Sequence, residues 1–140
     1  MIEESVPAGL SAPAMAWFER GAFHHVAGCR VFVVDVAPDA PTAEPLLIIH
    51  GFPTSSFDYA DVIDALAASR RVVVFDMVGF GLSEKPDIAY TLGLQADVVI
   101  ALCAELGLHR FSMLTHDMGD TVGGEVLARH IEGSFDAEIV

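Results

Sequence analysis

The stretch Phe111–Asp120, FSMLTHDMGD, decides the fold, because a mostly apolar run leads through a turn into a helical pattern. The run Phe111–Thr115 is short, as is typical of a parallel strand covered on both faces. Asp117 lies at the turn, before the predicted helix Met118–Ile131. A carboxylate at this position is either an N-cap of the helix or a nucleophile that is ionised at neutral pH.

Further strands and helices alternate along the chain before this stretch. The runs Leu46–Ile49 and Arg71–Phe75 predict two more buried parallel strands, and the segments Ser55–Ser69 and Thr91–Leu106 have apolar residues at helical spacing. This alternation predicts an α/β fold, with a parallel sheet between layers of helices.

The first part of the chain has a different pattern. The β-rich runs Ala22–Val26 and Arg30–Val36 are joined at Ala27-Gly28, which predicts an antiparallel hairpin. Three prolines in Ala37–Pro45 exclude both helix and ladder, so this stretch separates the hairpin from the parallel strands. We expect residues 1–16 to be an N-terminal tail and residues 17–140 to form one domain.

Composition excludes several classes of protein. Lys+Arg number 7 against 20 Asp+Glu, and the net charge of −13 argues against nucleic-acid binding. No apolar run approaches the ~18 residues of a membrane-spanning helix. The acidic start Met1–Ser5 does not resemble a secretion signal. Cys29 and Cys103 form no metal-binding motif, so we expect no metal or other cofactor. Two unpaired cysteines and the absence of a secretion signal also lead us to place the protein in the cytoplasm.

Three short motifs lie at the ends of the predicted parallel strands, where α/β folds bind ligands. They are HGFP at His50–Pro53, DMVGFGLSEKP at Asp76–Pro86, and HDMG at His116–Gly119. In order and spacing they resemble the epoxide hydrolase and haloalkane dehalogenase branch of the α/β-hydrolases. The longer segments HGFPTSS and HDMGD are most similar to the mesoderm-specific transcript group of this branch. The resemblance covers roughly residues 17–131.

The resemblance implies an α/β-hydrolase fold, of which this chain forms the N-terminal half of a mostly parallel sheet with an antiparallel opening hairpin and flanking helices. It also implies that Asp117 is a nucleophile on a sharp elbow between small residues, Thr115 and Gly119. The backbone N–H groups of Phe52 and Met118 would then form the oxyanion hole.

The resemblance further implies that His50, Gly51 and Pro53 shape the loop that supports the oxyanion hole. The implied reaction is hydrolysis of a small apolar substrate through an alkyl-enzyme ester. Phe52 and Met118 stand where haloalkane dehalogenases carry a halide-binding asparagine and tryptophan, so an epoxide is the favoured substrate. The alternative is a non-catalytic relative that binds a ligand or a protein through the same pocket.

The family's cap, catalytic acid and catalytic histidine are expected beyond Val140, so we interpret the chain as the N-terminal portion of a longer hydrolase. Phe135–Val140 could begin the next strand. Ending the sheet here should expose Phe111–Thr115 as an apolar edge, through which chains could associate or aggregate.

Overall fold

The computed structural model describes residues 6–140; the segment on which the absence of a secretion signal was argued, residues 1–5, lies outside this range. The elements, in chain order, are α1 (Ala12–Arg20), β1 (Gly21–Val26), β2 (Cys29–Val36), β3 (Leu46–Ile49), a 3₁₀ turn (Ser56–Tyr59), α2 (Ile63–Leu66), β4 (Val72–Phe75), α3 (Leu92–Leu106), β5 (Arg110–Thr115), α4 (Met118–Ile131) and β6 (Glu138–Ile139).

The described strands form one mixed sheet in the order β1-β2-β4-β3-β5-β6. The hairpin β1–β2 is antiparallel, and β2 also runs antiparallel to β4. From β4 onward the neighbours are parallel. At the hairpin turn Ala27 and Gly28 both have positive φ, 50° and 76°, as a tight turn that matches the strand twist requires.

The central strands β3 and β4 are buried on both faces, and their side chains alternate between two cores. Leu47 and Ile49 belong to the core that includes α3 and α4. Ile48 and Val74 belong to the opposite core, which contains Trp17 of α1. The mostly parallel sheet with a helical layer on each face is the predicted architecture.

Helix α1 begins inside the segment that we expected to be a tail, residues 1–16. Ser11 caps the helix by accepting a hydrogen bond from the N–H of Ala14, and Pro13 lies in the first turn. Trp17 is buried and donates its indole N–H to Ser56 Oγ at 3.0 Å. The ordered structure therefore starts earlier than the composition indicated, because Trp17 anchors the helix to the core.

The predicted helix Ser55–Ser69 is broken into the 3₁₀ turn and the single turn of α2. The start of this segment is held by tertiary contacts, since the N–H of Ser56 donates to Asp76 Oδ1 at 2.8 Å. In a continuous helix this N–H would lie in the first turn, where it has no partner within the helix, so the contact with Asp76 holds the start of the segment in place. The interruption follows at residues 60–62, between the 3₁₀ turn and α2. The prediction of one long helix was therefore wrong.

The strand β5 is not the edge of the sheet, contrary to our expectation for Phe111–Thr115. Its first two residues pair with Glu138 and Ile139 of β6, and the N–H of Val140 donates to Phe111 O at 3.0 Å. The possible strand at Phe135–Val140 is thus present as β6. The two-residue β6 covers only the beginning of β5, and self-association remains an expectation.

Candidate active site

Asp117 stands at the junction of β5 and α4 in an unusual backbone conformation, with φ 53° and ψ −119°. Non-glycine residues with such positive φ values are strained and tend to cluster at functional sites. The turn is also tightly packed: a Cβ on Gly119 would lie 2.6 Å from His50 O and closer still to Ile49 O. Only glycine fits at that position, because it lets the start of α4 lie against the end of β3.

One oxygen of Asp117 is held by two backbone donors. Oδ1 accepts the N–H of Met118 at 2.6 Å and the N–H of Phe52 at 3.0 Å. These two hydrogen bonds, first Met118 and then Phe52, hold the pKa of Asp117 below its ordinary value. The side chain is therefore an exposed, ionised carboxylate at neutral pH.

The second oxygen of Asp117, Oδ2, has no hydrogen-bond donor within the described residues. The lone pairs of Oδ2 are therefore free, while its neighbour Oδ1 is fixed in place. The arrangement can deliver Oδ2 to an electrophilic carbon. It also differs from a simple N-cap, because one of the two donors comes from a loop 65 residues earlier in the chain.

His50 lies under this loop and is fully buried. Its Nε2 accepts the N–H of Met77 at 2.9 Å, which places the ring proton on Nδ1, 2.9 Å from the carbonyl oxygen of Gly51. Burial lowers the pKa of His50, so the ring is neutral. Both ring nitrogens are engaged, so the ring braces the loop and is not free to accept a proton.

Gly51 and Pro53 flank Phe52 in this loop. A Cβ on Gly51 would lie 2.7 Å from the Cβ of Asp117, so glycine lets the loop come close enough for the Phe52 N–H to reach Oδ1. The N–H of Thr54 donates to the Gly51 carbonyl oxygen at 3.2 Å, and the Thr54 hydroxyl donates to the carboxylate of Asp58. Pro53 follows Phe52 through a cis peptide bond.

Asp76 supports the site from the end of β4, a role that the sequence did not reveal. The side chain is buried, Oδ1 accepts the Ser56 N–H, and Oδ2 accepts the Leu82 N–H at 2.6 Å. A Cβ on Gly81 would lie 2.8 Å from Oδ1, so the turn needs glycine there. Asp76 thereby ties together the loops after β3 and β4. Its position at a strand end was visible in the sequence, but its partners were not.

A further polar cluster of the described residues lies between α3 and α4. A cavity of about 570 Å³ there is lined by Asp97, Glu125 and Arg129, and the guanidinium of Arg129 pairs with both carboxylates. Residues 6–140 contain no group of three or more His, Cys, Asp or Glu side chains arranged to hold a metal ion. None of the helices in that range is long and apolar enough to span a membrane.

Comparison with known proteins identifies the family of the chain. The family model described as alpha/beta hydrolase fold matches residues 44–137. The mesoderm-specific transcript homolog protein of Bos taurus is 39% identical over 127 residues, covering 88% of this chain and 38% of that protein. The chain thus spans well under half of the length of this relative.

Two solved structures are similar to the chain over most of its length. The epoxide hydrolase VrEH1 from Vigna radiata has a TM-score of 0.72 at 27% identity, with 80% of this chain and 35% of that chain covered. The haloalkane dehalogenase DatA from Agrobacterium tumefaciens C58 has a TM-score of 0.71 at 28% identity, with 85% of this chain and 38% of that chain covered. Both the fold class and the resemblance predicted from the sequence are confirmed.

Proposed function

Because the chain belongs to the alpha/beta hydrolase fold family, we propose that it acts in a hydrolase whose nucleophile is Asp117 and whose substrates are small apolar epoxides. One observation carries the proposal: two backbone N–H groups hold Oδ1 of Asp117 while Oδ2 has no donor. A carboxylate that served only as a helix cap would need no donor from the loop of Phe52.

In the first step Oδ2 attacks an epoxide carbon. A new C–O bond forms between Asp117 and that carbon, the epoxide C–O bond breaks, and its electron pair stays on the epoxide oxygen, which takes a proton from water. The product is an ester of Asp117. An aspartate needs no base for this attack, because it is already ionised at neutral pH.

In the second step water gives a proton to a base and attacks the ester carbonyl carbon, so negative charge develops on the carbonyl oxygen of Asp117. When this intermediate collapses, the bond between Cγ and the alkylated oxygen breaks, and that oxygen leaves in the diol with a proton. The N–H groups of Phe52 and Met118 already converge on Oδ1, which is the position that an oxyanion hole serves. Activation of that water requires a base. His50 does not supply it, since Met77 and Gly51 occupy its ring nitrogens. The described residues therefore support the alkylation step most directly.

Intact-mass spectrometry with an excess of propylene oxide tests the proposal. We expect the protein to gain the mass of one epoxide, and peptide mapping to place it on Asp117. Asp117→Asn should abolish the adduct, because an amide is a poor nucleophile but still offers an acceptor to the Met118 N–H. Asp120→Asn, a matched change one turn along the same helix, should leave the adduct unchanged. Diol release would show turnover.

A second candidate is a non-catalytic relative that binds a ligand or a protein at the same site. Similarity to a mesoderm-specific transcript homolog protein, whose name states no reaction, favours it. The same experiment separates the two candidates. A folded protein that forms no adduct at Asp117 would exclude the nucleophile and favour binding.

A further inference from the structure

A cavity of about 300 Å³ opens beside Asp117, at the small end of the range for ligand pockets. Its walls include Phe52, Phe80, Tyr90, Leu92, Gln95 and Met118, and we call it the Phe80 pocket. Phe52 and Met118 belong to both sites, because their N–H groups hold Asp117 and their side chains line the pocket. A molecule bound to Asp117 therefore has this pocket within reach.

The aromatic walls of the Phe80 pocket are fixed by contacts behind them. The rings of Phe52 and Phe80 meet edge to face, with centroids 6.1 Å apart and an interplanar angle of 87°. The ring of His50 packs behind Phe80 at 5.7 Å. Tyr90 lies over Gly79 and donates its hydroxyl to Pro86 O at 2.6 Å. Rigid aromatic walls suit a flat apolar group.

The Phe80 pocket offers few polar groups and no charge to a ligand. The amide oxygen of Gln95 accepts the Val78 N–H at 3.1 Å, and its amide nitrogen donates to Val78 O at 2.8 Å. Thr91 Oγ1 accepts the N–H of Leu94 as the cap of α3. The lining contains no charged side chain. An ionised group placed here would lose hydration without meeting an opposite charge, which costs binding.

We propose that the Phe80 pocket binds the uncharged aromatic hydrocarbon group of the substrate while Asp117 Oδ2 faces the reacting carbon. This inference rests on the proposed function, because it names the substrate class that the site takes. It also predicts which group the site rejects: a carboxylate finds no cation among the residues that line the pocket.

Binding of ethylbenzene, which carries no reactive carbon, tests the pocket separately from the reaction. Ethylbenzene and benzoate are titrated into the ¹⁵N-labelled chain, and the amide shifts of residues around the pocket give the dissociation constants. We expect ethylbenzene to bind and benzoate to bind at least about tenfold more weakly, since the residues that line the pocket offer no cation to the benzoate carboxylate.

Leu92→Asn is the pocket variant and Leu127→Asn is its control. The two leucines are similarly exposed, 42% and 40%, but Leu127 lies on α4 and is not part of the pocket wall. Thermal melting shows that each variant folds. Replacing a pocket-lining leucine by a polar residue should weaken ethylbenzene binding about fivefold, and the control should bind as the wild type does.

The outcomes separate the pocket from the reaction. Equal ethylbenzene binding by the two variants, or benzoate binding as tight as ethylbenzene binding, would overturn the pocket assignment. Specific ethylbenzene binding without an epoxide adduct at Asp117 would overturn the proposed reaction and leave the pocket in place. An adduct at Asp117 in a protein that does not bind ethylbenzene would overturn the pocket assignment and leave the proposed reaction in place.

Discussion

Replacement of Gly119 by alanine should destabilise the protein and disturb the site together. The added Cβ would lie 2.6 Å from His50 O, roughly 1 Å inside the ordinary separation of about 3.5 Å. Its neighbours are backbone carbonyl groups of Ile49 and His50, which cannot rotate away as a flexible side chain can. The start of α4 must therefore move away from the end of β3.

The magnitude follows from two opposing terms. Overpacking of this kind costs roughly 1–3 kcal/mol, and the rigid backbone neighbours place Gly119 near the upper end. The gain in helix propensity from glycine to alanine offsets about 1 kcal/mol. We therefore expect a net loss of about 2 kcal/mol in the free energy of unfolding, which lowers Tm by roughly 6–8 °C for a domain of this size.

Gly124→Ala is the matched control in the same helix. A Cβ on Gly124 would have no neighbour within 4 Å, so only the propensity term remains, and this variant should gain about 0.5–1 kcal/mol. Urea unfolding of both variants and of the wild type measures the difference. A Gly119→Ala protein as stable as Gly124→Ala would refute the close contact between α4 and β3.

The same displacement should weaken the epoxide reaction. The N–H of Met118, adjacent to Gly119, holds Oδ1 of Asp117 at 2.6 Å, and a shift of the helix start lengthens this bond. The rate of adduct formation should therefore fall in Gly119→Ala and stay unchanged in Gly124→Ala, measured at a temperature where both are folded.

Three further predictions concern the carboxylates and the buried histidine. Because Met118 and Phe52 lower the pKa of Asp117, the rate of adduct formation should stay constant from pH 8 to 5 and fall to half only below about pH 3.9. A midpoint above that pH contradicts the assignment of Asp117. Burial lowers the pKa of His50, so unfolded chains gain a proton near pH 6.5 that folded chains do not. The free energy of unfolding should therefore decrease as the pH falls below 6.5, by up to about 1.4 kcal/mol per pH unit. His50→Gln should reduce this slope. Asp76→Ala leaves the N–H groups of Ser56 and Leu82 without their acceptor and should cost about 2–4 kcal/mol in urea unfolding. The exposed Asp64→Ala should cost much less, because water screens the ion pair of Asp64 with Arg20. Equal losses would show that Asp76 does not support the loops.

Local patterns in the sequence were enough to predict most of the sheet. The apolar runs that became β3, β4 and β5, and the helical spacing of α3 and α4, follow from which residues must be buried on a strand or a helix, and each signal lies within a few neighbouring residues. The three motifs at the strand ends also identified the family.

Prediction failed where distant contacts override the local pattern. The helical spacing of Ser55–Ser69 produced a 3₁₀ turn and a single helical turn instead of one helix, and the start of this segment is held by Asp76 from the end of β4. Helix α1 forms in an alanine- and proline-rich segment because Trp17 reaches the core. Strand β6 changes the edge of the sheet by pairing with β5. Each of these depends on residues far apart in sequence.

The amino-acid sequence alone determined the family, the order of most strands and helices, and Asp117 as the residue at the turn. Only the tertiary structure decided that the Phe52 N–H meets Oδ1 of Asp117, that His50 has both nitrogens engaged, and that Asp76 joins two loops. The reason is physical: hydrophobic periodicity is read within a single element, whereas the Phe52–Asp117 hydrogen bond joins residues 65 positions apart and exists only once β3 and β5 pair.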